Sequence, residues 1–99
     1  MMNRHHLLAA LLIATTSGAY AQDADSGRNL ASACASCHGT NGRSVGGMEH
    51  LAGVPKEVIV EKFRAFRSGA KPATVMHQIA KGYNDQQLEL IAAYFAAQK

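Results

Sequence analysis

The stretch Cys34-Ala35-Ser36-Cys37-His38 decides how the rest of this chain is interpreted, because it is a C-x-x-C-H run, the attachment pattern of a c-type haem. Two thiols three positions apart lie on one helical turn, where each can add to a vinyl group of the porphyrin. The histidine that follows can then bind the iron from one side. The sequence therefore predicts one covalently bound haem c, attached through Cys34 and Cys37, with His38 as an axial iron ligand.

Other uses of the two cysteines remain open at this point. A zinc site needs four ligands, and the further candidates, His50 and His77, stand at spacings that match no zinc module. A thioredoxin-like dithiol needs a strand–helix–strand setting, and the sequence contains no convincing strand. A plain disulfide is the remaining alternative. The haem site is the prediction that the motif favours.

The N-terminal segment has the features of an export signal. Arg4 precedes an apolar run over residues 7–14, and Ala19-Tyr20-Ala21 is an A-x-A cleavage pattern. The apolar run is well short of the ~20 residues that a bilayer requires. We therefore predict a cleaved signal peptide over residues 1–21 and one monohaem domain over residues 22–99. The expected location is the periplasm, because bacteria attach this kind of haem outside the cytoplasm.

The charge balance of the predicted mature chain is nearly neutral. Without Arg4 it has nine basic and seven acidic residues, and two haem propionates would bring the sum close to zero. No basic run is interleaved with aromatic residues, which argues against nucleic-acid binding. One group of basic residues is expected to be a solvated helix face or, alternatively, a docking surface for an acidic partner. This basic patch consists of Lys56, Lys62, Arg64, Arg67 and Lys71.

The first half of the predicted domain contains two helices and a loop. A polar leader with Asp23 and Asp25 precedes a helix over about residues 26–37, and the acidic entry suits its dipole. One face of this helix carries Leu30, Ala33, Cys34 and Cys37. Residues 38–47 are rich in turn formers and predict a loop. The second helix has Pro55 at its first position and Gly69 as its C-terminal cap. Its expected core residues are Val58, Ile59, Phe63 and Phe66.

The second half predicts two further helices, which makes the expected fold all-α, with about four helices around the haem. Lys71-Pro72 interrupts the chain, and a short helix over about residues 73–81 ends at Gly82. Asn84 and Gln87 form a capping box, from which the last helix runs to about residue 98. Its apolar stripe is expected to consist of Leu88, Ile91, Ala92 and Phe95.

The sixth position of the iron decides between electron transfer and chemistry on a small ligand. The candidates are Met48, His50, Met76 and His77. Met76 is favoured because it lies far enough downstream for the chain to reach the opposite haem face, and we expect His77 to point to solvent. Thioether ligation favours ferrous iron and suits an electron carrier. An open sixth position would instead indicate a catalytic or gas-sensing haem.

The chain resembles the class I cytochromes c over essentially the whole predicted domain. Four features match that family in order: Gly27 seven residues before Cys34, the C-x-x-C-H run, Met76, and the segment Leu90-Ile91-Ala92-Ala93-Tyr94-Phe95. The resemblance implies that the first and last helices cross where Gly27 approaches Tyr94 or Phe95. The single motif implies one haem.

A narrower resemblance is to the cytochrome subunits of flavocytochrome c sulfide dehydrogenases, carried by residues 37–48, 51–53 and 74–83. It implies a partner subunit with FAD that oxidises sulfide, and a downstream cytochrome or oxidase as electron acceptor. Related proteins tend to have a proline where this chain has Glu49, with a nearby carbonyl that accepts a hydrogen bond from the proximal histidine. Glutamate still offers a carbonyl, so we expect the bond to persist, in a less rigid loop that could hold His38 less firmly.

A free shuttle cytochrome between respiratory complexes is the alternative function. A permanent subunit should expose apolar residues around the haem edge, and a shuttle a more charged surface. Val45, Met48 and Val54 near the expected edge lean towards the subunit. The chain has no flavin-binding fingerprint, so any enzyme activity is expected to belong to a complex.

Overall fold

A computed structural model describes the backbone of residues 18–99 and the side chains from residue 23 onward. All regular structure in this part of the chain is helical, which confirms the predicted all-α fold. The predicted signal peptide over residues 1–21 lies almost entirely outside the described residues. The helices are α1 (Gly18–Ala31), α2 (Ala35–His38), α3 (Lys56–Ser68), α4 (Met76–Lys81) and α5 (Asp85–Ala96).

The first helix differs from its predicted bounds. It begins at Gly18 and ends at Ala31, and a 3-10 turn over Ser32–Cys34 joins it to the short α2. Asp25 lies inside α1 rather than in a leader, where its carboxylate pairs with Arg28 one turn later at 3.1 Å. The change of helix type follows from Ser32, whose hydroxyl donates to the Asn29 carbonyl at 2.6 Å. Such a bond competes for a carbonyl that the α-helix would otherwise use.

Helices α1 and α5 make the most extensive helix contact of the described fold. They cross at Gly27, where an added Cβ would lie 2.7 Å from the Leu90 carbonyl oxygen and 3.4 Å from Tyr94 Cβ. Only glycine permits this approach. The predicted crossing is therefore confirmed, with Tyr94 as the aromatic partner. Phe95 instead packs against Gly42.

The apolar core lies between α1, α3, α4 and α5. All four residues of the predicted α5 stripe are buried. In α3, Ile59 and Phe63 are buried as predicted, but the prediction for Val58 was wrong because its side chain is 39% exposed. Val60 is buried instead of Val58. Helix α3 packs against both α4 and α5, and this second contact widens the apolar face of α3.

The helix ends follow local signals closely. Helix α3 begins at Lys56, one residue later than predicted, because Pro55 is its N-cap rather than its first residue. Gly69 ends the helix with a left-handed φ of 84°. α4 begins at Met76, three residues later than expected. The capping box of α5 is present, with Gln87 N–H donating to Asn84 Oδ1 at 2.8 Å and Asn84 N–H donating to Gln87 Oε1 at 3.0 Å. Within residues 18–99, no helix combines the length and apolar character needed to cross a bilayer.

Candidate haem site

An open and mostly apolar cleft lies between the α1–α2 region, the following loop, α3 and α4. All four predicted site residues, Cys34, Cys37, His38 and Met76, line it. The walls are formed largely by aliphatic and aromatic side chains. The other lining residues are Ala33, Ser36, Met48, Glu49, Leu51, Val54, Ile59, Lys62, Phe63, Phe66, Val75, Ile79 and Tyr83.

The two thiols enter this cleft from neighbouring turns. Cys34 ends the 3-10 turn and Cys37 lies in α2, and the two cysteines are not joined in a disulfide. Burial, and secondarily the nearby Cys37, raise the pKa of the Cys34 thiol. A reactive dithiol has a lowered thiol pKa, and the described residues contain no strand for a thioredoxin-like setting. The dithiol and disulfide alternatives are therefore not supported.

His38 is oriented by the loop that follows it. Its ring Nδ1 lies 2.7 Å from the backbone carbonyl oxygen of Glu49. A carbonyl can only accept, so Nδ1 carries the proton, and Nε2 is the ring nitrogen left to bind a metal. The expectation that Glu49 keeps the carbonyl contact is confirmed.

The candidates for the second axial ligand separate by position. Met76 begins α4 and packs partly against the core. Met48 also lines the cleft, in the loop whose Glu49 carbonyl contacts His38 Nδ1. His50 and His77 do not line the cleft. The prediction that His77 points to solvent holds only in part: the residue is half-buried, and its Nδ1 is buried without a hydrogen-bond partner within the described part of the chain.

The donor set fits a haem better than a bare metal ion. Nowhere in the described residues do three His, Cys, Asp or Glu side chains come close enough together to hold a metal. The zinc alternative is therefore wrong for this part of the chain. Apolar walls suit the porphyrin faces, two thiols suit its covalent attachment, and an imidazole fixed by a carbonyl suits its iron.

Lys62 and Tyr83 are among the cleft residues that were not predicted from the sequence. Lys62 lies in α3 and its Nζ donates to the Glu49 carboxylate. Its position three residues after Ile59 and four before Phe66 places it on the apolar helix face, and this spacing could have indicated it. Tyr83 packs edge-on against Phe63, with ring centroids 6.4 Å apart, and burial raises the pKa of its hydroxyl. Its place follows from tertiary packing alone.

The basic patch is largely neutralised within the molecule. Arg67 donates to Asp85 at 2.5 Å, and Lys56 and Arg64 lie 2.8 Å and 3.7 Å from Glu89 oxygens. Lys62 pairs with Glu49. Lys71 lies over the Phe66 ring, 5.3 Å from its centroid. These contacts disfavour the patch as a docking surface for an acidic partner.

The comparisons with known proteins converge on one family. The family model described as cytochrome c matches residues 24–99. The chain is 39% identical over 69 residues to the cytochrome subunit of sulfide dehydrogenase of Chlorobaculum tepidum, a match that covers 70% of this chain and 63% of that protein. It is 35% identical over 65 residues to cytochrome c-552 of Acidithiobacillus ferridurans, covering 66% of this chain and 28% of that protein.

A third relative has a different named role. It is the thiosulfate dehydrogenase electron acceptor of Stutzerimonas stutzeri, 35% identical over 69 residues, a match that covers 68% of this chain and 32% of that protein. The chain thus aligns with less than two thirds of the length of each of these three relatives.

Proposed function

Since this chain belongs to the cytochrome c family, whose members carry a covalently attached haem c, we propose that Cys34 and Cys37 form the thioether bonds and that His38 and Met76 bind the iron. The protein is a class I cytochrome c and an electron carrier. The observation that supports the site assignment is the gathering of these four side chains in one apolar cleft.

The chain's own residues give each ligand a distinct role. The Glu49 carbonyl holds His38 in the tautomer whose Nε2 can bind iron. Met76 would supply the second iron ligand, from a helix that is separate from the loop holding His38. The apolar walls exclude water, which favours a stable ligand set over exchange with solvent. The bound haem supplies an iron that alternates between ferric and ferrous states, and thioether ligation raises its potential.

We further propose that the protein is the electron-accepting subunit of a sulfide dehydrogenase. An FAD flavoprotein subunit would oxidise sulfide and deliver electrons one at a time, and a downstream cytochrome or oxidase would receive them. The sulfide dehydrogenase cytochrome of Chlorobaculum tepidum supports this role by its 39% identity. That match covers 63% of the relative's length.

The surface at the mouth of the cleft supports a permanent partner. Four exposed apolar residues form what we call the apolar rim: Val45, Met48, Val75 and Ile79. Met48, Val75 and Ile79 line the cleft and would contact the haem itself, so the outward-facing part of this rim is Val45, in the loop that carries Met48. Val54 also lines the cleft but is partly buried against the core. An apolar rim beside a neutralised basic patch suits a lasting protein contact better than charge-steered encounters.

The second candidate function is a free shuttle that carries electrons between respiratory complexes. It is favoured by the 35% identical relative named as the electron acceptor of thiosulfate dehydrogenase. In that case the sulfide-oxidising flavoprotein would not accompany the cytochrome.

Export to the periplasm with cleavage after Ala21 also remains a proposal. Cleavage there would leave α1 to begin near Asp23, and both Asp23 and Asp25 would then stand in its first turn, where carboxylates favour the helix dipole. The mass and N-terminal sequence of the protein recovered from the periplasm test this directly. An intact residue 1 would contradict it.

Gentle purification of the tagged protein from its native periplasm, followed by addition of sulfide, tests the subunit proposal. We expect flavin absorbance to travel with the haem, and low sulfide to reduce the haem only when that flavoprotein is present. Preparations stripped of flavoprotein serve as the control. A haem-only preparation that stays oxidised until another reductase is supplied would instead support the shuttle.

A further inference from the structure

We propose that Lys62 is a positioning residue for His38: its ion pair with Glu49 holds the loop whose carbonyl orients the His38 ring. This inference rests on the proposed assignment of His38 as an iron ligand. It adds a residue of α3 to the support of a ligand that lies in α2.

Glu49 makes two contacts at once, and they join separate parts of the molecule. Its backbone carbonyl accepts from His38 Nδ1 at 2.7 Å, and its carboxylate accepts from Lys62 Nζ. All three residues line the same cleft. A displacement of the Glu49 backbone would therefore reach His38 directly, and the lysine restrains that displacement from a rigid helix.

The loop before Glu49 has little other support. Residues 44–50 make no backbone–backbone hydrogen bond within the described part of the chain. The next anchors are the N–H groups of Leu51 and Ala52, which donate to the Gly42 carbonyl at 2.9 and 3.1 Å. A glutamate leaves its own φ free, whereas a proline would fix it near −65°. The side-chain contact with α3 supplies the restraint that the backbone at position 49 lacks.

The ion pair is suited to a positioning role rather than to bulk stability. The side chains of Lys62 and Glu49 are 35% and 44% exposed, and exposed pairs contribute little to the free energy of folding. The effect should appear at the His38 ring more than in the unfolding curve.

The test uses the haem-loaded protein in its ferrous state, with the solvent exchange rate of the His38 Nδ1 proton measured by NMR and the reduction potential measured alongside. In Lys62→Met we expect exchange to accelerate roughly two- to five-fold, the range that loss of one exposed ion pair allows. The separate variant Lys62→Arg, which keeps the positive charge, should exchange at the wild-type rate. Lys56→Met is the matched control, because Lys56 also lies in α3 and pairs with Glu89 away from the cleft.

A double-mutant cycle separates positioning from charge. If Lys62 acts through the Glu49 backbone, Lys62→Met should have no effect on exchange in a Glu49→Pro background, where the proline ring restrains the loop. An unchanged exchange rate in Lys62→Met, or an equal acceleration in the proline background, would overturn the proposal. A third outcome would also overturn it: Lys62→Met changes only the reduction potential, and adding Glu49→Gln restores the wild-type potential. That result would show that Lys62 acts through its charge alone. Wild-type His38 resonances without haem ring-current shifts would overturn the ligand assignment itself.

Discussion

Among single residues, Met76 has the most specific consequence for the chemistry of the iron. Replacing Met76 with alanine should remove the sixth ligand, change the absorption spectrum and lower the reduction potential, because thioether ligation stabilises ferrous iron. We expect a fall of roughly 0.1 V or more, a fraction of the ~0.8 V range that axial ligands span. Spectroelectrochemical titration of the purified haem protein gives both values.

Met48→Ala is the matched control for this prediction, because Met48 is a second methionine that lines the same cleft. Its spectrum and potential should stay close to those of the wild type. If Met76→Ala left both unchanged, the sixth position would belong to another group or stand open, and a catalytic or gas-sensing haem would regain support.

Residue-level predictability follows the range of the interactions involved. The placement of Cys34, Cys37 and His38 in one cleft could be predicted because their chemistry is written in five consecutive residues. His77 could not be placed, since the burial of its Nδ1 depends on packing around a six-residue helix. The Lys62–Glu49 contact spans 13 residues, and no local pattern encodes a pair at that separation.

Among the elements, the α1–α5 crossing is the contact most sensitive to a single methyl group. In an isolated helix, Gly27→Ala would gain roughly 0.5–1 kcal/mol from helix propensity. Here the new Cβ would lie 2.7 Å from the Leu90 carbonyl oxygen, and backbone cannot move aside as a side chain tip can. We therefore expect a net loss of about 1–3 kcal/mol in the free energy of unfolding.

Denaturant unfolding of the haem-loaded protein measures this loss. Gly47→Ala serves as the control, because a Cβ built at Gly47 meets nothing within 4 Å and the residue lies in a loop. If Gly27→Ala were as stable as Gly47→Ala, α1 and α5 would not cross as closely as the structure places them.

The ends of α3 and α5 are joined by a contact that makes stability depend on pH. Arg67 donates to the Asp85 carboxylate at 2.5 Å and to the Tyr83 carbonyl at 3.3 Å. The Arg67 hydrogen bond and charge hold the pKa of Asp85 below its usual range. A depressed folded pKa means that the contribution is present above the unfolded value, near pH 4, and is lost as pH falls through the folded value.

Thermal unfolding of the wild type and of Asp85→Asn across pH 2–7 should show this dependence. At neutral pH the variant should unfold at a lower temperature, and the difference should shrink as pH falls below about 4. Asp23→Asn, at an exposed aspartate of α1, controls for the change in net charge. A difference that stays constant down to the lowest pH would show that Asp85 acts through something other than its charge.

Element boundaries could be predicted where a cap fixes them and not where packing does. Gly69, Gly82 and the Asn84 capping box end or begin their helices as expected, because each acts within a few residues of its own position. The start of α1 and its change to a 3-10 turn were missed. Val58 and Val60 exchanged roles because two neighbouring elements share α3, and helical periodicity does not indicate how wide a buried face will be.

At the scale of the whole molecule, the protein core and the cleft are parts of one apolar interior. The buried apolar residues of the described chain number only nine. Four partly buried residues pack against them while also lining the cleft: Leu51, Val54, Phe66 and Met76. A haem seated there would extend that interior. The C-x-x-C-H motif made it possible to predict from the sequence that the core depends on a haem. The distribution of exposed residues around the cleft could be found only from the structure.

That distribution leads to a prediction about the partner. Val45 is fully exposed in the loop beside the cleft, so a carboxylate there should leave the fold and the haem intact. If the apolar rim docks on a flavoprotein, Val45→Asp should weaken that association roughly tenfold or more, because a carboxylate would be buried in an apolar contact. Val58→Asp is the matched control, since Val58 is 39% exposed but does not line the cleft.

Titration calorimetry with the separated flavoprotein, with the haem spectrum and potential recorded for each variant, distinguishes the two candidate functions. Weaker binding confined to Val45→Asp would mean that the apolar rim is an interface in a lasting complex. If both variants bound as the wild type does, the rim would not be the docking surface. The salt dependence of binding then distinguishes the shuttle from the permanent subunit. A charge-steered shuttle loses affinity for its partner as ionic strength rises, and an apolar contact does not.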